Sequence, residues 1–246
     1  MEKLFEVIHE DDELLVINKP AGLVSHPTKG DVYSSLISRV RLYLDLCTEA
    51  HLINRLDRET SGVILVAKSL SVAVDLRRFW EKRTVCKEYL AIVHSHVREN
   101  GGLIDAPLGR DEQSPVAIKD KVRADGAAAQ TGFAVERRFT RPEGDFSLLR
   151  VRPLTGRKHQ IRIHLAHAGH PIVGDKLYGG DENLYLDFVH GRLSKSQRQK
   201  LLLSNHALHA AEVRFEWRGC ERIFGAAPEV WFRDFATVAF TKDYSS

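Results

Sequence analysis

Cysteine is scarce in this 246-residue chain, and the three that occur are placed where little cysteine chemistry is open to them. Cys47, Cys86 and Cys220 are odd in number and far apart, with no CxxC pair and no zinc-ligand spacing among them. A disulfide framework is excluded, and reduced thiols in a cytosol are expected. Long apolar runs are also missing. The longest, such as 63–67, fall far short of the ~20 residues needed to span a bilayer. The first fifteen residues, MEKLFEVIHEDDELL, are acidic and lack the basic start and apolar centre of a secretion signal. A soluble, cytoplasmic protein with no membrane partner is expected. Charge of one sign is lacking too: 36 basic residues face 33 acidic ones, for a net charge of +3. That is too mild to imply nucleic-acid binding in bulk, so any such contact must come from local clusters. Internal repeats, low-complexity tracts and linkers are absent.

What is present is ordinary for a globular chain with a sizeable core: 43% hydrophobic and 28% charged residues. Residues 4–8 and 14–17 read as short strands around an acidic turn. Asn18-Lys19-Pro20-Ala21-Gly22 ends the second, and His26-Pro27 with Lys29-Gly30-Asp31 continue that loop. Helical spacing runs through 33–46 and again through 69–83, where Val72, Leu76, Phe79 and Trp80 form an apolar stripe. The other side of that helix carries Arg77, Arg78, Lys82 and Arg83, either a solvated face or a contact for an RNA backbone. Further strands are expected at 63–67, 87–93, 133–139 and 146–151, the last two joined by a turn at 140–145. Hairpins and loops are expected at 100–130. A helix is expected at 157–168, capped by Gly169. Closing strands at 207–217 and 222–225 precede a short helix at 229–236. Residues 179–205 are polar and aperiodic, a candidate variable insertion or mobile loop. The order of elements predicts one α/β (α+β) domain over 1–246, a mostly antiparallel mixed sheet flanked by helices and loops.

Chemistry concentrates at Asn54-Arg55-Leu56-Asp57-Arg58-Glu59-Thr60-Ser61-Gly62. An aspartate between two arginines is kept ionised by their charge, and arginines are suited to phosphates. Asp57 is therefore either a carboxylate acting on a nucleic acid or a salt-bridging residue of a polar loop. A second candidate cluster is His159, His164, His167, His170 and Asp175. Histidine is the commonest metal ligand, so a metal-dependent hydrolase is a rival reading, although no HExxH or other established metal pattern occurs.

The Asp57 segment resembles the signature loop of the RluA-type pseudouridine synthases. Four other segments agree in order. Val16-Ile17-Asn18-Lys19-Pro20-Ala21-Gly22-Leu23 resembles the family's first strand and loop, and Lys87-Glu88-Tyr89-Leu90-Ala91 its tyrosine motif. Leu154-Thr155-Gly156-Arg157-Lys158-His159-Gln160-Ile161-Arg162-Ile163-His164, with His170-Pro171-Ile172-Val173-Gly174-Asp175, resembles its basic motif. Leu208-His209-Ala210 resembles the last. The likeness extends from about residue 5 to about residue 228.

The resemblance implies isomerisation of uridine to pseudouridine in transfer or ribosomal RNA, with no cofactor, no metal and no obligate protein partner. By default the chain is taken as a monomer. It implies that Asp57 is the essential carboxylate and that the target base is flipped out of its stack. Arg55 would fill the vacated space, Tyr89 would stack on the uracil, Arg162 would pair with Asp57, and Leu208 would wall the base. Arg58, Arg157 and Lys158 are expected to contact the RNA, the last two through phosphates. Lys19 and His26 are as readily structural as functional. Two departures stand out. Asn54 replaces the family's usual histidine, and the chain is expected to begin at the catalytic domain, without the N-terminal RNA-binding module of many relatives. A catalytically idle RNA-binding protein on the same fold is the second rival, against which the presence of Asp57, Tyr89 and Arg162 argues.

Overall fold

The apolar run at 63–67 lies within β4 (Ser61–Ala67), a strand with every residue buried. Its alternate side chains serve two separate cores, as the two-residue period of a strand requires. Val63, Leu65 and Ala67 join Leu14 and Val16 on one face; Ile64 and Val66 join Leu15 and Ile17 on the other. The computed structural model describes residues 5–26, 35–45 and 49–237. The chain divides into two units, one of Met1–Tyr89 with Leu208–Glu229, the other of Leu90–Ala207 with Val230–Ser246.

In the first unit β2 (Leu14–Lys19) runs antiparallel to β4, and β1 (Glu6–Glu10) antiparallel to β2. The opposite side of β4 is shared. The short β3 (His51–Leu52) pairs with its end at Ala67 and Val66, while β11 (Leu208–Trp217) pairs parallel to its start through His209–Ser61 and Ala210–Gly62. β12 (Cys220–Gly225) closes the sheet antiparallel to β11. One helix covers each face. α1 (Leu36–Tyr43) is capped by Ser35 and delivers Leu36, Ile37 and Val40; α2 (Leu70–Glu81) is capped by Ser69 and delivers Val72, Ala73 and Leu76. Each of the valine, leucine and isoleucine side chains among them contributes roughly 1.5–3 kcal/mol when fully buried.

β5 (Cys86–His94) begins in the first unit and ends in the second. There β9 (Gln130–Arg141) and β10 (Gly144–Pro153) form a long hairpin around Pro142-Glu143, and β6 (Gly101–Asp105) pairs with β9. A separate two-stranded ribbon joins β7 (Leu108–Arg110) to β8 (Asp120–Val122). Four helices complete the unit: α3 (Gln160–His167), α4 (Asn183–Val189), α5 (Lys195–Leu201) and α6 (Val230–Thr237).

The predicted mixed, mostly antiparallel architecture is present. Two local expectations change. The helix expected from 157 begins at Gln160, because Arg157-Lys158-His159-Gln160 form a turn, with Gln160 N donating to Arg157 O (3.2 Å). The Gln160 side chain closes that turn on Arg157 N, and His159 takes a left-handed backbone (φ 55°). Residues 179–205, aperiodic in sequence, hold α4 and α5, and α5 is started by a reciprocal Ser194–Gln197 capping box. The loop expected at 27–31, parts of the 33–46 helix, residue 4 of the first strand and Cys47 lie outside the described residues. Among the described residues no helix is long and apolar enough to cross a membrane.

Candidate active site

The first unit holds Asp57, Arg55, Arg58, Tyr89 and Leu208. Asp57 lies half-buried in the loop between β3 and β4, with Arg55 and Arg58 exposed on either side. Three sets of bonds fix that loop. Asn54 works like an extra strand residue: its Nδ2 donates to Val63 O (3.0 Å) and its Oδ1 accepts from Leu65 N (2.9 Å). Thr60 N donates to Asp57 O (3.1 Å), and Ser25 Oγ to Leu56 O (3.0 Å). The third set centres on Lys19, which is fully buried. Its ammonium donates to Pro20 O (2.8 Å), Leu23 O (2.9 Å) and Arg58 O (3.1 Å), binding the loop after β2 to the loop that carries Asp57. Arg58 Nε adds a return bond to Gly22 O (3.1 Å).

Burial lowers the Lys19 pKa to about 7, against the opposing pull of the Glu229 and Asp57 carboxylates. Asp57 is thus close enough to act electrostatically on Lys19. It also acts on Tyr89, whose hydroxyl is pushed up first by burial and then by the Asp57 charge. The Tyr89 ring lies against the cluster that contains Leu15, Ile17, Leu56 and Ala210. His26 is exposed, and its pKa is lowered by partial burial and by the Arg55 and Arg41 charges.

Leu208 is buried at the start of β11. Its neighbour His209 accepts or donates at both ring nitrogens, to Ser61 Oγ (2.8 Å) and to Ala226 O (2.9 Å). Burial keeps this imidazole on the neutral side. Gly62 permits the crossing of β4 and β11: its φ is +114°, and a Cβ there would stand 2.2 Å from Ala210 O.

The second unit holds Arg157, Lys158 and Arg162. Arg162, on α3, is buried and forms a two-pronged pair with Asp175: Nε to Oδ2 at 2.7 Å and Nη2 to Oδ1 at 2.9 Å. Its guanidinium also lies 5.0 Å over the centre of the Tyr178 ring. The resemblance gives Arg162 Asp57 as its partner; Asp175 is a partner that the sequence does not announce. Lys158 is half-exposed and meets Asp120 at 3.0 Å, while the exposed Arg157 donates from Nε to Ala128 O (3.2 Å).

The histidine cluster has structural partners. His164 bonds Thr131 Oγ1 and Ala106 O (2.8 and 2.9 Å), His159 bonds the Tyr178 hydroxyl (2.9 Å), and His170 bonds His94 O (3.2 Å). Among the described residues no three His, Cys, Asp or Glu side chains gather as a metal ion would need.

Comparison with known proteins adds a family to this geometry. A profile of RNA pseudouridylate synthases matches residues 13–167. Ribosomal large subunit pseudouridine synthase D of Haemophilus ducreyi (strain 35000HP / ATCC 700724) is 34% identical over 218 residues, which cover 85% of this chain and 62% of that protein. Ribosomal large subunit pseudouridine synthase C of Yersinia pestis is 37% identical over 210 residues, covering 85% and 61%. The chain thus spans about three fifths of the length of these curated relatives. Among solved structures, human RNA pseudouridylate synthase domain containing 4 aligns with a TM-score of 0.71 at 26% identity, over 93% of this chain and 90% of that one.

Proposed function

The chain belongs to the RNA pseudouridylate synthase family, and from that premise we propose that it converts specific uridines of structured RNA to pseudouridine, with Asp57 as the essential carboxylate. The reaction breaks the N1–C1′ bond, turns the base and joins C5 to C1′. It needs no net redox change and no water. One carboxylate therefore suffices, in contrast to the pair that glycoside hydrolysis requires. Asp57 can enter by attack on the sugar or base, or by removing a sugar proton.

The observation that carries this reading is the setting of Asp57. Its loop is bonded to β4 through Asn54 and to the loop after β2 through Lys19, so the carboxylate is presented on a fixed backbone. Catalytic groups need such preorganisation. Its charge reaches the Tyr89 hydroxyl, which supports a common site for the carboxylate and the aromatic face that takes the flipped uracil. Arg55 and Arg58, both exposed beside it, are suited to the flanking phosphates. In this reading Leu208 walls the base and Arg157 grips phosphate. Lys158 contributes less, because Asp120 already offsets its charge. Arg162, whose charge Asp175 offsets in the same way, contributes orientation rather than net charge.

The relatives are named for the RNA of the large ribosomal subunit. Large-subunit ribosomal RNA is accordingly the first substrate proposed here, with transfer RNA the second. The chain acts alone in the cytoplasm in this reading, in keeping with the exposed free thiols of Cys86 and Cys220. The deciding experiment is pseudouridine mapping of total RNA from cells with and without the gene, with rescue by wild type and by Asp57→Ala. Sites lost on deletion and restored only by wild type are expected. Rescue by the variant would remove Asp57 from the mechanism, and an unchanged map would favour an RNA-binding protein without catalysis.

A further inference from the structure

The C-terminal end of α2 carries charge that the catalytic reading leaves unused. Arg78, Lys82 and Arg83 are exposed there, with Glu81 the exposed acid among them. None of the three cations makes a side-chain hydrogen bond or ion pair among the described residues. The helix beneath them is firmly held. Phe79 and Trp80 rest on Phe215, with ring centres 6.4 and 5.6 Å apart, and Arg77 Nη2 donates to Leu52 O (3.3 Å). That last bond ties α2 to β3, the strand from which the chain enters the Asp57 loop.

The way α2 ends supplies an independent observation. Thr84 N donates to Phe79 O (3.1 Å) and Arg83 N to Trp80 O (3.2 Å), the two wrapped bonds that finish many helices. The residue at the turn of such a wrap must adopt a left-handed backbone, and glycine is the residue that does so freely. Here it is Arg83, at φ 57°. An arginine at this place gives up backbone energy to keep a side chain, and strain retained in this way points to a use for that side chain.

We propose that Arg78, Lys82 and Arg83 form a phosphate grip, a docking surface for the RNA backbone on the same unit as Asp57. It rests on the reading that the chain acts on RNA. Three cations without internal partners match the regular negative charge of a nucleic-acid strand. The ordered helix end spares the RNA the cost of fixing them, and the Arg77–Leu52 bond connects the grip to the loop that carries the carboxylate.

The test measures binding of the full chain to a fluorescently labelled transcript of a large-subunit ribosomal RNA domain across a potassium chloride series. The variants are Arg83→Gly and the triple Arg78→Gln/Lys82→Gln/Arg83→Gln. Each phosphate that is no longer neutralised lowers the slope of log affinity against log salt by about 0.7–0.9. A fall of about one for Arg83→Gly and of two to three for the triple variant is expected. Arg83→Gly should keep a Tm equal to or above the parent's, because glycine relieves the turn. A folded triple variant with parental affinity and slope overturns the grip, as does an affinity loss that only accompanies a falling Tm in both variants. If the triple variant loses grip on an acidic protein but not on RNA, the partner class is wrong and the proposal also falls. Binding is read without modification. A parent that grips RNA through α2 yet forms no pseudouridine therefore removes only the catalytic reading, and a parent that modifies RNA beside a normally binding triple variant removes only this one.

Discussion

Arg162 and Asp175 are joined by two parallel hydrogen bonds of 2.7 and 2.9 Å, and both side chains are buried. Asp175 also accepts from Leu177 N and Tyr178 N (2.9 and 3.0 Å), so its carboxylate organises the chain after α3 as well as the arginine on it. Removing one member of such a pair strands the other charge, at a cost of about 3–5 kcal/mol. Asp175→Asn should lose about that much stability in urea unfolding at pH 7. Burial pushes the Asp175 pKa up, but Arg162 and the backbone amides outweigh it and hold the group well below the usual carboxylate range. The stabilisation is therefore complete above the unfolded value near pH 4 and is lost as the pH falls below it. The parent should weaken through that acid window more steeply than the variant; parallel curves would deny the ion pair its role.

Lys19 gives the opposite pH signature. Its folded pKa is about 7 against 10.5 in an ordinary lysine. The folded state therefore binds the proton less tightly than the unfolded chain. Stability should rise with pH between about 7 and 10.5, by up to about 1.4 kcal/mol per pH unit, and be flat in this respect below 7. Lys19→Met should remove the slope, and unfolding free energies at pH 7, 8 and 9 measure it.

Gly62→Ala should be far more damaging than a glycine substitution usually is. The new Cβ would collide with Ala210 O at 2.2 Å, and the backbone is at φ +114°. A loss of about 3 kcal/mol or more is expected in chemical denaturation. Gly144→Ala, at φ +140° with no heavy atom within 4 Å, separates backbone strain from collision and should cost less.

Asn54→Ala should cost about 1–2 kcal/mol, because Leu65 N and Val63 O lose their side-chain partners. If the bonds also aim Asp57, turnover should fall with little change in the KM for RNA. Asn54→His tests whether a ring restores one bond and with it part of the turnover. Equal turnover in all three proteins would confine Asn54 to stability.

The Asp57 loop is legible in the sequence because its residues are contiguous and their charges argue directly for an ionised carboxylate. The strands around it are legible for the same reason: 63–67 is apolar at every position, and only burial on both faces explains that. Long-range relations are not visible there. Nothing local shows that Ser61 meets His209, or that β4 and β11 run parallel at that point. Asp175 lies beyond the end of the helix that carries Arg162, and the histidines around it suggest a metal ligand rather than a partner for an arginine. The helices within 179–205 escape because they are short and are set by their ends rather than by a periodic face. The Ser194–Gln197 spacing is the signal that could reveal α5.

The three carbonyl oxygens around the Lys19 ammonium resemble the inner sphere of a bound potassium ion, with the cation tethered to the chain. Below about pH 7, where Lys19 holds its proton, this tethered cation cannot be chelated away or exchanged with the buffer. The shape of the Asp57 loop should consequently be indifferent to the salt and metal content of its surroundings, while attraction to a polyanion varies steeply with both. A loop built in this way separates two demands: the backbone that carries Asp57 stays in register whatever the salt, and the medium governs only how strongly a polyanion is attracted.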